Sequence, residues 1–141
     1  MDVIRRNTDY ALRLVVGLVE NYGGKPISAR QLAADGDVST PLACKLLQKL
    51  SAAKIIKSSM GAGGGFKLAK APEKISLYQI IQAIQGEVCF NRCVSDANSC
   101  PRRPRCAVSK KLAELQEYAE HYLSGIKLNE LLMRGGVRDK K

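Results

Sequence analysis

The sequence predicts a mainly α-helical protein with one small β-hairpin, and three observations support this fold class. Apolar residues recur at helical spacing in several segments, which glycine, proline or polar residues separate. A glycine-rich stretch at residues 61–65 separates two short β-prone segments. The last long helical segment follows a polar loop that contains two prolines. At 141 residues, the chain can form one domain, or a small domain with a helical extension.

The first predicted helix covers residues 8–21. Thr8 can cap its N-terminus, and Asp9 places a negative charge near the positive end of the helix dipole. Two glycines at positions 23 and 24 end the helix. Its apolar face consists of Ala11, Leu12, Val15, Val16, Leu18 and Val19.

Two shorter helices are predicted at about residues 29–35 and 40–53. Ser28 and Gln31 have the spacing of a capping box, and Ser39 can cap the following helix. Two short helices joined by a glycine-bearing turn are typical of a helix-turn-helix, whose second helix enters the major groove of DNA, although other proteins also contain such pairs. The residues of this region that we expect to contact DNA are Ser28, Ser39, Thr40, Lys45, Gln48 and Lys49.

Residues 55–59 and 66–70 are predicted to be the strands of a hairpin with a glycine-rich tip. A hairpin directly after a helix-turn-helix is the order of a winged helix, in which the hairpin (the wing) follows the phosphate backbone. We expect the wing to contact DNA through Lys57, Gly63, Gly64 and Lys67. A nucleotide-binding loop is disfavoured, because no Lys-Ser/Thr pair follows the glycines and no βαβ unit surrounds them.

The charge balance indicates a polyanionic partner. The chain carries 23 Lys and Arg against 13 Asp and Glu, which gives a net charge of +10. This excess favours double-stranded DNA over an ordinary solubility charge. No apolar run approaches the ~18 residues of a membrane span, and the first residues do not resemble a signal peptide. We therefore expect a cytoplasmic protein with no membrane partner.

The sequence between residues 87 and 107 predicts a metal site. Cys93, Cys100 and Cys106 lie in a polar loop that Pro101 and Pro104 keep irregular, so that several sulfurs can surround one centre. Thiolates at such positions suit an iron–sulfur cluster. Cys89 is expected to be buried among apolar residues instead of binding metal.

Two alternatives for the loop remain open. The first is a zinc site, in which Cys89 would join the three loop cysteines, because tetrahedral sulfur coordination suits zinc as well as iron. The second is a thiol sensor without metal, since nearby arginines favour the reactive thiolate form. Those arginines are Arg92, Arg102, Arg103 and Arg105.

A fourth helix is predicted at residues 74–85 and a long one at residues 108–124. One stripe of the long helix is apolar, which is typical of a dimer interface or of packing on the protein's own core. The stripe consists of Val108, Leu112, Leu115, Ala119, Tyr122 and Leu123. The expected organisation is a winged helix-turn-helix DNA-binding domain (1–86), a cluster-binding loop (87–107), a dimerisation region (108–133) that ends in a short helical turn within residues 126–132, and a disordered tail (134–141).

With these parts in this order, the chain resembles the Rrf family of bacterial transcription regulators over about residues 1–133. Within that family it is most similar to the iron–sulfur sensors of the IscR and NsrR type. The resemblance is carried by GAGGGF at residues 61–66, by the three-cysteine loop and by TDYALR at residues 8–13. It implies a homodimer with crossed long helices and two wings on a palindromic operator. It also implies that Cys93, Cys100 and Cys106 bind an iron–sulfur cluster, with four irons favoured over two.

The resemblance to the nitric-oxide-sensing branch implies that Asp9 of the partner subunit is the fourth ligand. The resemblance to the IscR branch would instead imply a histidine ligand three residues after the last cysteine. That position is Ser109 in this chain, so the histidine scheme does not apply. One departure lies in the wing, where Met60 replaces a frequent arginine and puts readout of narrow A·T minor grooves in doubt.

We therefore expect a DNA-binding repressor whose operator affinity responds to nitric oxide, to iron or cluster supply, or to redox state. We do not expect an enzyme, because no nucleophile, base and orienting group occur together.

Overall fold

The computed structural model describes residues 2–132, which form six α-helices, one two-stranded sheet and three 3₁₀ turns. The predicted class, mainly helical with a small hairpin, is confirmed. In chain order the helices and strands are α1 (Arg6–Glu20), α2 (Ala29–Gly36), α3 (Thr40–Ala52), β1 (Ile56–Ser59), β2 (Gly65–Leu68), α4 (Leu77–Gln85), α5 (Arg92–Ser95) and α6 (Ala107–Gly125). The 3₁₀ turns are Pro72–Lys74, Arg103–Arg105 and Leu128–Leu131.

Helix α1 begins two residues before the predicted position, and Thr8 does not cap it. The residue before the helix is Arg5, whose side chain makes no capping hydrogen bond. Thr8 lies inside the first turn and is fully buried, because its hydroxyl donates a hydrogen bond of 2.7 Å to Oε1 of Gln85, 77 residues away. Thr8 therefore bonds to a residue that is distant in the sequence instead of capping the helix.

Helices α2 and α3 form the helix-turn-helix. The Oγ of Ser28 accepts a hydrogen bond of 3.1 Å from the backbone N–H of Gln31, which caps α2 as predicted. The return bond of a capping box is absent, because the Gln31 side chain donates to Asp35 instead. The turn passes through Asp37, which adopts a left-handed conformation with φ of 55°. Ser39 precedes α3 without a side-chain capping bond.

Strands β1 and β2 form the wing directly after α3. They are antiparallel, with Ile56 opposite Leu68 and Lys57 opposite Lys67. The wing is attached to the chain before α2, because the backbones of Ile27 and Phe66 exchange two hydrogen bonds of 3.0 and 2.7 Å. Gly65 permits this approach, since a Cβ at this position would lie 2.5 Å from the carbonyl of Ile27. A side chain here would push the wing away from the helices.

Helix α4 begins at Leu77, three residues after the predicted start. Ser76 and Gln79 form a complete capping box, with bonds of 3.2 and 2.8 Å, and this box fixes the first turn. The segment after α6 pairs with the residues that precede α4. The N–H of Leu77 bonds to the carbonyl of Ile126 at 2.8 Å, and the N–H of Leu128 bonds to the carbonyl of Ile75 at 2.9 Å. The short helix predicted within residues 126–132 is the 3₁₀ turn Leu128–Leu131.

The main core lies between α1, α2, α3, α4 and the wing. Leu128, from the end of the described chain, is fully buried in this same core. The other fully buried large side chains include Leu14, Leu18, Leu32, Leu46, Leu47, Leu50, Ile56, Ile75 and Ile80. The winged-helix half therefore contains an apolar residue that lies more than 40 positions beyond residue 86.

A smaller cluster joins α4 to α6. Tyr78, Ile81 and Val88 are buried there, and Leu123 of α6 packs against them. The hydroxyl of Tyr78 donates a hydrogen bond of 2.8 Å to Oε2 of Glu120 on α6. Burial and the bond to Glu120 raise the pKa of Tyr78 to about 12. This contact holds α6 against the winged-helix half.

The described residues contain no helix that is long and apolar enough to cross a membrane. The tail predicted at residues 134–141, and residue 133 before it, lie outside the described part of the chain.

The Tyr78–Glu120 contact predicts a loss of stability at high pH. The folded pKa of Tyr78 is about 12, above its ordinary value of 10.0, so the contact stabilises the fold fully below pH 10 and loses this effect as the pH rises towards 12. Tyr78→Phe should lower the free energy of unfolding at neutral pH by about 1 kcal/mol. It should also remove part of the decline at alkaline pH. Denaturant unfolding at a series of pH values measures both effects. Tyr22→Phe, at an exposed tyrosine that follows α1, is the matched control and should change neither quantity.

Candidate functional site

The three loop cysteines line one cavity. Its volume is about 330 Å³, and Cys93, Cys100 and Cys106 are each half-buried in its wall. The other residues of the wall are Asn91, Arg92, Ser99, Arg103, Val108 and Ser109. The fold therefore gathers three thiols that are separated by six and five residues in the sequence.

Different local structures present the three sulfurs. Cys93 lies in the one-turn helix α5, which Asn91 caps by accepting a bond of 2.8 Å from the N–H of Arg92. Cys100 immediately precedes Pro101 and carries no helical constraint. Cys106 is the residue before α6, and its Sγ accepts a hydrogen bond of 3.4 Å from the backbone N–H of Ser109. One thiol thus caps the long helix, where a negatively charged group is favourably placed.

Arg103 connects the two ends of the loop. Its Nε donates a hydrogen bond to the backbone carbonyl of Cys93, and its side chain forms part of the cavity wall. With Arg92 it gives the cavity two cations, and no carboxylate lies in the wall. The cavity is therefore suited to an anionic occupant.

The cysteines converge without forming a closed ligand cage. Within residues 2–132, no three His, Cys, Asp or Glu side chains stand close enough to hold a metal ion. The donor set nevertheless fits an iron–sulfur cluster in its chemistry, because it offers three thiols, cationic neighbours and room between the sulfurs. Metal binding would require the irregular backbone around Cys100 to draw the sulfurs inward.

The chain does not bring Asp9 to this cavity. Asp9 lies on the exposed side of α1 and forms an ion pair of 3.1 Å with Arg13, one turn further along the helix. Arg13 also stacks on the ring of Tyr10, 5.1 Å from its centre, and donates a bond of 3.4 Å to the carbonyl of Gly36 in the helix-turn-helix. Asp9 is therefore placed next to the DNA-binding elements, and its role as a ligand from the partner subunit stays a prediction.

The expected burial of Cys89 is wrong. Val88 takes the buried position beside Tyr78, and Cys89 is exposed. Its Sγ lies 3.2 Å from the carbonyl of Asn91 and 3.2 Å from the Oγ of Ser95. Cys89 does not line the cavity of the other three cysteines, so the structure does not gather the four thiols of the zinc alternative.

The residues predicted to contact DNA lie on α2, α3 and the wing. Ser28 and Ser39 precede α2 and α3, and Thr40 begins α3. All of the predicted residues are exposed except Gly64, which is half-buried at the tip of the wing. The members on the recognition helix α3 and the wing are Thr40, Lys45, Gln48, Lys49, Lys57, Gly63, Gly64 and Lys67.

The wing places two like charges in direct opposition. Lys57 and Lys67 face each other across the two strands, and both are exposed. Like charges at paired positions destabilise a sheet unless an anion lies between them. Met60, at the start of the tip, is 95% exposed and adds no charge. The lysine pair therefore gives the wing two exposed positive charges that would attract a phosphate backbone.

Sequence reasoning missed two contacts of the cysteine site, the bond from Arg103 to Cys93 and the cap that Cys106 places on α6. Arg103 was interpreted only as one of several surface or activating charges, since nothing local indicates its bond to Cys93. The capping role of Cys106 had a signal, because Cys106 and Ser109 have the three-residue spacing of an N-cap and its N3 partner.

Comparison with known proteins identifies relatives over nearly the whole chain. The model of the Rrf2 family, described as an iron-dependent transcriptional regulator, matches residues 4–134. The transcriptional regulator NsrR of Shouchella clausii is 30% identical over an alignment of 132 positions, and the match covers 87% of this chain and 87% of that one. The family and this relative are transcription regulators, which agrees with the expectation that the chain is not an enzyme.

Two solved structures share the fold. The oxidized form of Staphylococcus aureus CymR has a TM-score of 0.74 and 25% identity, over 96% of this chain and 98% of that one. T. potens IscR has a TM-score of 0.71 and 24% identity, over 96% of this chain and 95% of that one.

The opposed lysines predict a conflict between stability and DNA binding in the wing. Lys67→Glu should stabilise the protein by roughly 0.2–1 kcal/mol, because it replaces a repulsive pair with an attractive one. The same change should weaken binding to duplex DNA, which thermal unfolding and a DNA titration would test together. Lys70→Glu makes the same charge change outside the paired strands and should not stabilise the fold. If Lys67→Glu is destabilising while Lys70→Glu is neutral, repulsion across the wing is not significant.

Proposed function

The chain belongs to the Rrf2 family of transcriptional regulators, and on this premise we propose that it is a DNA-binding repressor whose operator affinity is switched by an iron–sulfur cluster in the cysteine loop. The observation that carries the proposal is the convergence of Cys93, Cys100 and Cys106 on one cation-lined cavity. A cluster bound there would supply a centre that reacts with nitric oxide or oxygen and depends on iron supply.

The protein's own residues would convert occupancy of the cavity into a change of shape. Three sulfurs drawn to one centre would replace many conformations of the loop with one. Since Cys106 caps α6 and Cys93 is tied to Arg103, this ordering would act directly on the start of the long helix. The loop connects α4 of the winged-helix half to α6, so the angle between these helices is the quantity that we expect to differ between the two states.

The exposed face of α6 supports a homodimer. The predicted stripe divides into two parts: Leu112, Ala119 and Leu123 are half-buried within the chain, whereas Val108, Leu115 and Tyr122 are exposed at seven-residue spacing. Tyr118 extends the exposed part. A seven-residue apolar repeat on the outside of a helix suits packing against a second copy of that helix. Two copies would present two recognition helices and two wings, which fits a palindromic operator.

A thiol switch without metal is the second candidate. It is favoured by the absence of a closed ligand cage among the described residues and by the arginines around the half-buried thiols. It is also consistent with a solved oxidized form of the similar protein CymR. In this case, oxidation of the loop cysteines would replace cluster loss as the signal.

The experiment that tests the proposal is anaerobic purification followed by visible and Mössbauer spectroscopy and by DNA titration. Replacing Cys93, Cys100 or Cys106 with Ala should each abolish the visible absorption of the cluster, because each removes one of its three chain ligands. The operator affinity of each variant should equal that of the metal-free protein. Cys44→Ala, at a half-buried cysteine of α3, is the control and should retain the wild-type spectrum.

The other outcomes separate the alternatives. Colourless protein that contains zinc would support the zinc site. Protein without metal whose DNA affinity changes with thiol oxidation would support the thiol switch. A protein that binds no duplex DNA in any state would overturn the repressor proposal.

The role of Asp9 is tested by mixing subunits. A heterodimer combines one Asp9→Ala subunit with one subunit that lacks all three loop cysteines. If Asp9 acts across the dimer, the remaining three-cysteine loop faces an intact Asp9 of the partner subunit and should hold a normal cluster. The Asp9→Ala homodimer should show an altered spectrum and faster cluster loss, because a fourth ligand is missing. Asp35→Ala removes another exposed carboxylate and should behave as wild type. If the Asp9→Ala homodimer has a wild-type spectrum and a wild-type cluster lifetime, Asp9 is not a ligand and acts only through its ion pair with Arg13.

A further inference from the structure

The side chain of Gln85, the last residue of α4, holds the beginning of α1. Its Oε1 accepts hydrogen bonds of 2.9 Å from the N–H of Arg5 and 2.7 Å from the hydroxyl of Thr8. Its Nε2 donates a bond of 2.9 Å to the carbonyl of Val3. One amide therefore fixes three positions of the N-terminal segment, and the fully buried Thr8 depends on it for a hydrogen-bond partner.

A basic cavity lies at the same place, which we call the α1–α4 junction. It has a volume of about 400 Å³, and its charged wall residues are Arg5, Arg6 and Lys49. Neutral residues complete the wall: Asn7, Thr8, Ile84 and Gln85. Among the described residues, the side chains of the three cations have no ion pair or hydrogen bond. Three unpartnered cations around one concave site favour an anion.

The position of the cavity identifies the anion. Lys49 lies in the last turn of the recognition helix α3, so the cavity is continuous with the surface predicted to face DNA. The backbone of duplex DNA carries a phosphate at every nucleotide, and basic side chains beside a recognition helix typically fix its register by phosphate contacts. A phosphodiester of the DNA backbone therefore fits the cavity in charge and place.

We propose that Arg5 and Arg6, together with Lys49 at the end of α3, form a third contact with the DNA backbone, besides the rest of the exposed face of α3 and the wing, and that Gln85 is the positioning residue of this contact. The inference rests on the proposed DNA binding and extends it to the N-terminus of α1. Because Gly86 and the cysteine loop directly follow Gln85, the contact is attached to the start of that loop. A movement of the loop would shift Gln85, and the Gln85 side chain would in turn shift the basic residues that contact the DNA backbone.

The first test is the salt dependence of binding of the full chain to a duplex. Each lost phosphate contact lowers the slope of log affinity against log salt by about 0.9. In the proposed homodimer, Arg5→Gln combined with Arg6→Gln removes four such contacts, two from each subunit. It should therefore lower the magnitude of the slope by about 3.6 and weaken binding to all sequences alike. Lys110→Gln combined with Lys111→Gln removes the same charge from α6 and should leave the slope unchanged, because these residues lie outside the proposed contact.

The second test concerns Gln85, and its first measurement needs neither DNA nor metal. Gln85→Ala should raise the hydrogen-exchange rate of the Arg5 amide several-fold, because that N–H loses its acceptor. It should also lower the salt slope of DNA binding, although all three cations remain. Gln82→Ala, one turn earlier on the exposed side of α4, is the control and should change neither quantity.

The outcomes distinguish this inference from the proposed function. If the wild-type chain binds duplex DNA with a steep salt slope and the double arginine variant has the same slope, the third contact is overturned. The repressor proposal would then still stand. Unchanged exchange and slope in Gln85→Ala would overturn the positioning role. A wild-type chain that does not bind duplex DNA would overturn both proposals.

Discussion

The bond between Tyr78 and Glu120 is the contact on which the geometry of the cysteine loop depends. It holds α6 against α4, and the loop connects the C-terminal end of α4 to the N-terminal end of α6. With both ends of the loop attached to packed helices, the chain between them can curl but cannot extend. This constraint explains how a segment that contains only one short helix and one 3₁₀ turn still brings three thiols to one cavity.

Most of the fold could be predicted because its signals are local. The apolar periodicity of the helices, the Ser28 cap and the glycine-rich tip of the wing act within a few residues, and the structure contains each of them. The helix boundaries that differ from the prediction depend on contacts with residues that are distant in the sequence. Helix α1 begins early because Thr8 turns inward to Gln85. Such a bond has no signature in either segment alone.

In the candidate site, too, features with a local signal could be predicted and features that depend on tertiary contacts could not. Residue type and spacing were sufficient to single out Cys93, Cys100 and Cys106, since thiols in a proline-broken loop have few structural uses inside cells. The exposure of Cys89 could not be predicted, because it depends on which of two neighbouring side chains packs beside Tyr78, and Val88 takes that place. The proposed role of Asp9 as a cluster ligand would depend on a second subunit, so no feature of a single chain tests it.

The burial of Leu128 has a consequence for the order in which the protein is made. The core of the winged-helix half is completed by a side chain that the ribosome adds after the whole cysteine loop and α6. Segments generally fold as their sequence emerges during synthesis, but a core that lacks one of its fully buried leucines remains incomplete. The DNA-binding half therefore reaches its final packing only when all five cysteines have already been synthesised. In a newly made chain, the whole cysteine loop is therefore present before the core of the winged-helix half is complete.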